Sequence, residues 1–131
     1  ASLKAELLGS WSTSGSTEED LVSAFKVARQ DWLEGDREGW LKAHGFYPGA
    51  VDFVRGAATV AVITTKGKAF ALELLEAAGL GAVDPSRVFG LGSGKKKDVL
   101  QSLMEGRPQG SRTVFVEDRL AALETVMEDE G

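Results

Sequence analysis

The chain has 131 residues, enough for one domain with a modest core, and its 43% hydrophobic to 27% charged balance is that of an ordinary globular protein. A net charge of -5 argues against a general nucleic-acid binder, which needs a basic face. The absence of cysteine excludes disulfides and thiolate metal sites, and the longest apolar stretch, Gly56 to Thr64, is far too short to span a bilayer.

The chain opens on Ala1-Ser2-Leu3-Lys4 with no basic-then-apolar signal, as if processed or cut from something longer. Leu3 to Leu8 suits one or two helical turns, and Gly9 to Thr17 reads as a loop of Ser, Thr and Gly. Ser16 and Glu19 have the spacing of a capping box. Behind them Leu21, Phe25, Ala28 and Trp32 recur at helical spacing, predicting an amphipathic helix over 18–33 that Gly35 ends. Asp36 to His44 is a shorter helix stopped by Gly45. Trp11, Trp32 and Trp40 pack this helical layer, and His44 sits at its helix end, where a cation or a hydrogen-bond donor is favoured.

After the break at Tyr47-Pro48-Gly49 a short helix runs over Ala50 to Gly56. Ala58 to Thr64 is a continuous apolar, β-branched run, the mark of a strand buried on both faces. Lys68 to Ala78 is a helix with Phe70, Leu74, Leu75 and Ala78 inward. A turn at Asp84-Pro85, a short strand Arg87-Val88-Phe89, a helix Lys95 to Glu105, a strand Arg112 to Val116 and a helix Asp118 to Met127 follow, and the acids Glu128-Asp129-Glu130 form a solvated end. Strand and helix thus alternate from Ala58 onward. The expectation is an α/β fold with a Rossmann-like, mostly parallel sheet and helices on both faces, residues 46–131, preceded by a small helical cap, residues 1–45.

Three groups of residues fall at the carboxyl ends of strands or the heads of helices, where open α/β sheets bind ligands. Thr64 and Thr65 follow a strand, where hydroxyls and exposed amides suit a phosphate oxygen, although threonines there also cap helices. Lys95, Lys96 and Lys97 open a helix after the glycine-rich turn Gly92-Ser93-Gly94; they add cations to an anion-attracting helix end, or form a solvated charge run. No glycine stands five residues before Gly94 and Lys96 replaces the required hydroxyl, so this is not a Walker loop. Glu117 and Asp118 end a strand, where paired carboxylates suit Mg²⁺ and where Asp118 is also placed to cap the last helix.

In order, Phe46-Tyr47-Pro48-Gly49-Ala50-Val51, Ile63-Thr64-Thr65-Lys66, Arg87-Val88-Phe89-Gly90-Leu91-Gly92-Ser93-Gly94 and Phe115-Val116-Glu117-Asp118-Arg119 resemble the haloacid-dehalogenase-like hydrolase superfamily, in particular its branch from plants, algae and cyanobacteria. The resemblance covers about residues 46 to 127, with residues 1–45 where that family inserts its cap. It implies a Mg²⁺-dependent phosphohydrolase that cleaves phosphomonoesters of small metabolites through an aspartyl-phosphate, in a plastid or the cytoplasm. Thr64 matches the hydroxyl that binds the transferring phosphoryl group, with Thr65 beside it. Lys96 matches the lysine that neutralises its charge, with Lys95 and Lys97 as alternatives. Glu117 and Asp118 match the acid pair that holds the metal.

The family's first motif, a strand ending in Asp-x-Asp-Gly, does not occur in this chain. On that resemblance the chain begins after the first motif, stops before the last strand, lacks the nucleophile and lacks the central strand of the sheet. Three readings follow. The chain is the remnant of a phosphatase core, inactive as it stands. Alternatively it is a non-catalytic interaction or scaffold domain that needs a second copy or a partner chain to complete its sheet. The third is a phosphate-binding domain unrelated to hydrolases.

Overall fold

The computed structural model describes residues 15–128. The readings for Leu3 to Leu8, for Trp11, for the loop before residue 15 and for Asp129 and Glu130 lie outside the described residues. The chain divides into two compact units, Ala1–Gly45 and Phe46–Gly131.

In the first unit, helix α1 (Glu18–Gly35) is opened by a capping box, one residue later than the spacing of Ser16 and Glu19 suggests. Thr17 accepts from the Asp20 amide at 3.2 Å, and the Thr17 amide donates to Asp20 Oδ2 at 2.8 Å. Both pairings satisfy donors that a helix start leaves without partners. The Asp20 carboxyl is held below its ordinary range, first by the Thr17 amide and then by its hydroxyl. Asp36 separates α1 from helix α2 (Arg37–Lys42) and caps the latter through the Gly39 amide at 2.9 Å. Among the described residues of this unit only Leu33 and Trp40 are buried; Phe25 and Trp32, expected on the inward face of α1, remain exposed. Helix α2 packs against α1, and with six residues it is too short to cover the whole of an eighteen-residue helix. His44 Nδ1 donates to the Trp40 carbonyl at 2.7 Å, and its ring lies 4.4 Å from the Trp40 ring, so the one histidine closes the helix end.

The second unit begins with helix α3 (Ala50–Gly56), continues through strand β1 (Val62–Ile63), helix α4 (Lys68–Ala77), the 3₁₀ turn Pro85–Arg87, strand β2 (Val88–Phe89) and helix α5 (Lys96–Glu105), and ends on helix α6 (Leu120–Met127). Its core is Ala71, Leu75, Leu80 and Val88, bordered by Val51, Val54, Val62 and Leu72. Burying each of the larger of these side chains contributes roughly 1.5–3 kcal/mol. Helix α4 turns Ala71 and Leu75 inward and leaves Phe70, Leu74 and Ala78 half-buried. It ends in a Schellman motif: the Leu80 amide reaches the Leu75 carbonyl at 2.8 Å, the Gly79 amide reaches Glu76 at 2.9 Å, and Gly79 takes a φ of 75°. The motif places Leu80 over Leu75 in the core.

The expected Rossmann-like, mostly parallel sheet with helices on both faces does not form. Helix accounts for 54% of the structure and strand for 4%, and the only sheet among the described residues is the parallel pair β1–β2. Val62 pairs with Val88 and Ile63 with Phe89. The pair is short because β2 has little room: Pro85 and Ser86 occupy the 3₁₀ turn before it, and Gly90 begins the glycine-rich turn after it. A parallel ladder is no longer than its shorter strand. Upstream of Val62 the expected strand is irregular, and there Arg87 Nε donates to the Val60 carbonyl at 3.0 Å. The segment expected as a third strand, Arg112 to Val116, pairs with nothing in a ladder, and Val114 and Val116 are 59% and 73% exposed. Its β-branched composition suits a strand, but a strand needs a neighbour for its amides and carbonyls.

Candidate functional site

The carboxyl ends of β1 and β2 lie side by side. The Thr64 amide donates to the Phe89 carbonyl at 2.9 Å, and the Leu91 amide donates to the Lys66 carbonyl at 2.8 Å, so the parallel register outlasts the strands. The chain then turns through Gly92 and Gly94, whose φ values of 92° and 101° belong to the left-handed region that favours glycine, and enters α5 at Lys96. The N-cap of that helix, Lys95, makes no side-chain capping hydrogen bond.

These segments enclose a cavity of about 180 Å³ lined by Ile63, Thr64 and Thr65 on one side and by Phe89 to Lys96 on the other. Thr64, Thr65 and Lys96, singled out in the sequence at distant positions, therefore meet at one rim. Thr64 Oγ1 accepts the Lys66 amide at 3.1 Å, which fixes the rotamer and leaves its one O–H proton for a ligand. Thr65 is exposed and Lys96 half-buried. Lys95 also lines the cavity and is exposed, and none of the lining residues carries a carboxylate. Sequence reasoning missed Ser93 and Gly90 as parts of this rim. Gly90 is buried against the backbone of Lys66 and Lys68, and its place immediately after a strand was the signal available.

Glu117 and Asp118 do not line the cavity, but Glu117 reaches it through Lys96. Lys96 Nζ lies 2.6 Å from Glu117 Oε2. Glu117 Oε1 accepts the Asp118 amide at 3.0 Å and the Arg119 amide at 3.2 Å. The Lys96 ammonium, then hydrogen bonding by Asp118 and by the Arg119 amide, holds the Glu117 carboxyl down at about 2, against an ordinary 4.5. The N-cap of α6 is Arg119, not Asp118, and that helix start is served by the Glu117 carboxylate rather than by a capping side chain of its own.

The acid pair as arranged does not fit the Mg²⁺ that the resemblance implies. Both Glu117 oxygens are committed, one of them to an ammonium, and a cation at Oε2 would stand against Lys96. Among the described residues no three of His, Cys, Asp and Glu gather to hold a metal. No step below is routed through a metal.

Comparison with known proteins places nothing beside this chain: no family model, curated protein or solved structure matches it. The resemblance to the hydrolase superfamily rests on motif order alone. No helix of the described residues is long and apolar enough to cross a membrane.

Proposed function

We propose that the rim formed by β1, β2 and the start of α5 binds the phosphoryl group of a small phosphorylated metabolite. The observation that carries this reading is the meeting of Thr64, Thr65 and Lys96 around one small cavity. Hydroxyl donors, helix-start amides and an ammonium are what a tetrahedral oxyanion takes. At about 180 Å³ the cavity lies below the roughly 300–1,000 Å³ of pockets for drug-sized ligands, which suits a phosphoryl group and not a whole nucleotide.

Binding without turnover is the form of this reading that the lining residues favour. Phosphomonoester hydrolysis through an aspartyl-phosphate, the activity implied by the resemblance, needs a carboxylate at the phosphorus, and none lines the cavity. The chain thus acts as a phosphate-binding module, and any catalytic role would draw its nucleophile from another segment or chain.

Titration with inorganic phosphate, followed through backbone amide NMR signals, tests the reading. Saturable shifts confined to residues 63–65 and 89–96, with a dissociation constant of about a millimolar, are expected. The same shifts in a Lys96→Met variant, or none in the unsubstituted protein, would reject it.

A further inference from the structure

The pairing of Lys96 with Glu117 is the best-defined polar contact near the cavity, and neither the metal reading nor helix capping accounts for it. The two residues lie 21 positions apart and meet at 2.6 Å. Only 7% of the Glu117 side chain is exposed, against 32% for Lys96. The carboxylate is the fixed member of the pair, since two backbone amides hold its other oxygen. Lys96 is the member that borders the cavity.

We infer that Glu117 is a specificity-determining residue of the anion site, a built-in counter-ion that occupies Lys96 and so sets how strongly the cavity holds a ligand's negative charge. The inference rests on the anion-site reading above and adds to it the residue that opposes binding. An ammonium has three N–H donors, and Glu117 takes one at charge-assisted distance. A ligand in the cavity shares the remaining donors and meets a fixed carboxylate one side chain away. Each further negative charge on the ligand therefore gains less from Lys96 than an unpaired lysine would give it. Because Glu117 is anchored by amides rather than by solvent, it does not swing aside at no cost when an anion arrives.

The test substitutes Glu117→Gln, which removes the charge and keeps an Oε1 acceptor for the Asp118 and Arg119 amides. Inorganic phosphate is titrated into both proteins. Tightening of about tenfold or more in the variant is expected, the scale of one unit charge at near-contact distance in a partly shielded setting. Loss of an ion pair that served only stability would loosen the site or leave it unchanged, so a gain in affinity separates the two roles. Phosphate that binds the unsubstituted protein and binds the variant equally or more weakly overturns the inference and leaves the anion site standing. Phosphate that binds neither protein rejects the anion site and the inference with it. A second measurement needs no variant: the Lys96 ammonium ¹⁵N signal shifts as phosphate saturates the unsubstituted protein, and an unmoved signal under saturation overturns the inference.

Discussion

A Cβ added to Gly90 would stand 2.5 Å from the backbone nitrogen of Lys68 and 2.8 Å from its Cα. The end of β2 thus approaches the backbone at the start of α4 too closely for a side chain between them. Neither partner is the end of a flexible side chain, so a methyl group there has to move backbone. Gly90→Ala is expected to destabilise the second unit by about 1–3 kcal/mol, as overpacking does. Gly56→Ala is the control, because nothing lies within 4 Å of its added Cβ and its φ is unexceptional. Urea unfolding of both variants checks this, and a Gly90→Ala midpoint equal to the control's would refute the close approach.

Thr64 has two roles at the rim, and one substitution separates them. Its oxygen accepts the Lys66 amide, and its proton is left for a ligand. Thr64→Val keeps the shape and loses both. The expected results are a stability loss of about 1 kcal/mol and a drop of roughly five- to tenfold in phosphate affinity, each the net size of one hydrogen bond. Thr64→Ser restores both. If valine lowers stability while phosphate affinity is unmoved, Thr64 only shapes the turn.

Acid titration isolates Glu117. Folding holds its carboxyl at about 2 instead of 4.5, so the folded chain favours the ionised form. Its contribution to stability is fully present above the unfolded value of 4.5 and is lost as pH falls through about 2. Asp84, lowered first by the Ser86 hydroxyl and then by the Ser86 amide, and Asp20, lowered by Thr17, weaken in the same direction. The difference between the unsubstituted protein and Glu117→Gln removes those shared parts. That difference should be constant near neutrality and shrink steadily below the unfolded value. A difference that stays flat down to the acid limit would show that Lys96 does not hold the carboxylate in solution.

The rim was legible because its parts carry local signals. A threonine after an apolar run and a lysine after a glycine-rich turn announce strand and helix ends whatever surrounds them. The Lys96–Glu117 contact was not legible, because it joins the first residue of α5 to the segment before α6, which only the fold brings together. Glu117 was recognised as an acid at a segment end, yet its partner turned out to be an ammonium. The capping box slipped by one residue for a different reason: Ser16 and Thr17 are both good caps, followed at the right spacing by Glu19 and Asp20, and composition does not choose between them. The sheet was over-read. Ala58 to Thr64 and Thr113 to Val116 have strand composition, but pairing is non-local, and the four residues between Pro85 and Gly90 limit the ladder however apolar its neighbours are.

Val114 and Val116 offer the sharpest check on that correction. In a sheet with three or more strands, alternate side chains of this segment would be buried and charges there would cost several kcal/mol. Here both valines face solvent. Lysine at both positions should therefore change the unfolding free energy by less than about 0.5 kcal/mol, the usual range for surface substitutions. Val88→Ala, in the strand that is paired and only 2% exposed, should cost about 2–3 kcal/mol by the same measurement. Val88 and Val114 are each followed by a phenylalanine, and valine has the same strand propensity at every site, so propensity alone predicts similar penalties. A large loss from the double lysine variant would mean that this segment is covered in solution, by a second copy or another chain. Dilution then separates the two: a penalty that fades as the protein is diluted belongs to an interface between copies of this chain, because only the associated state covers the segment.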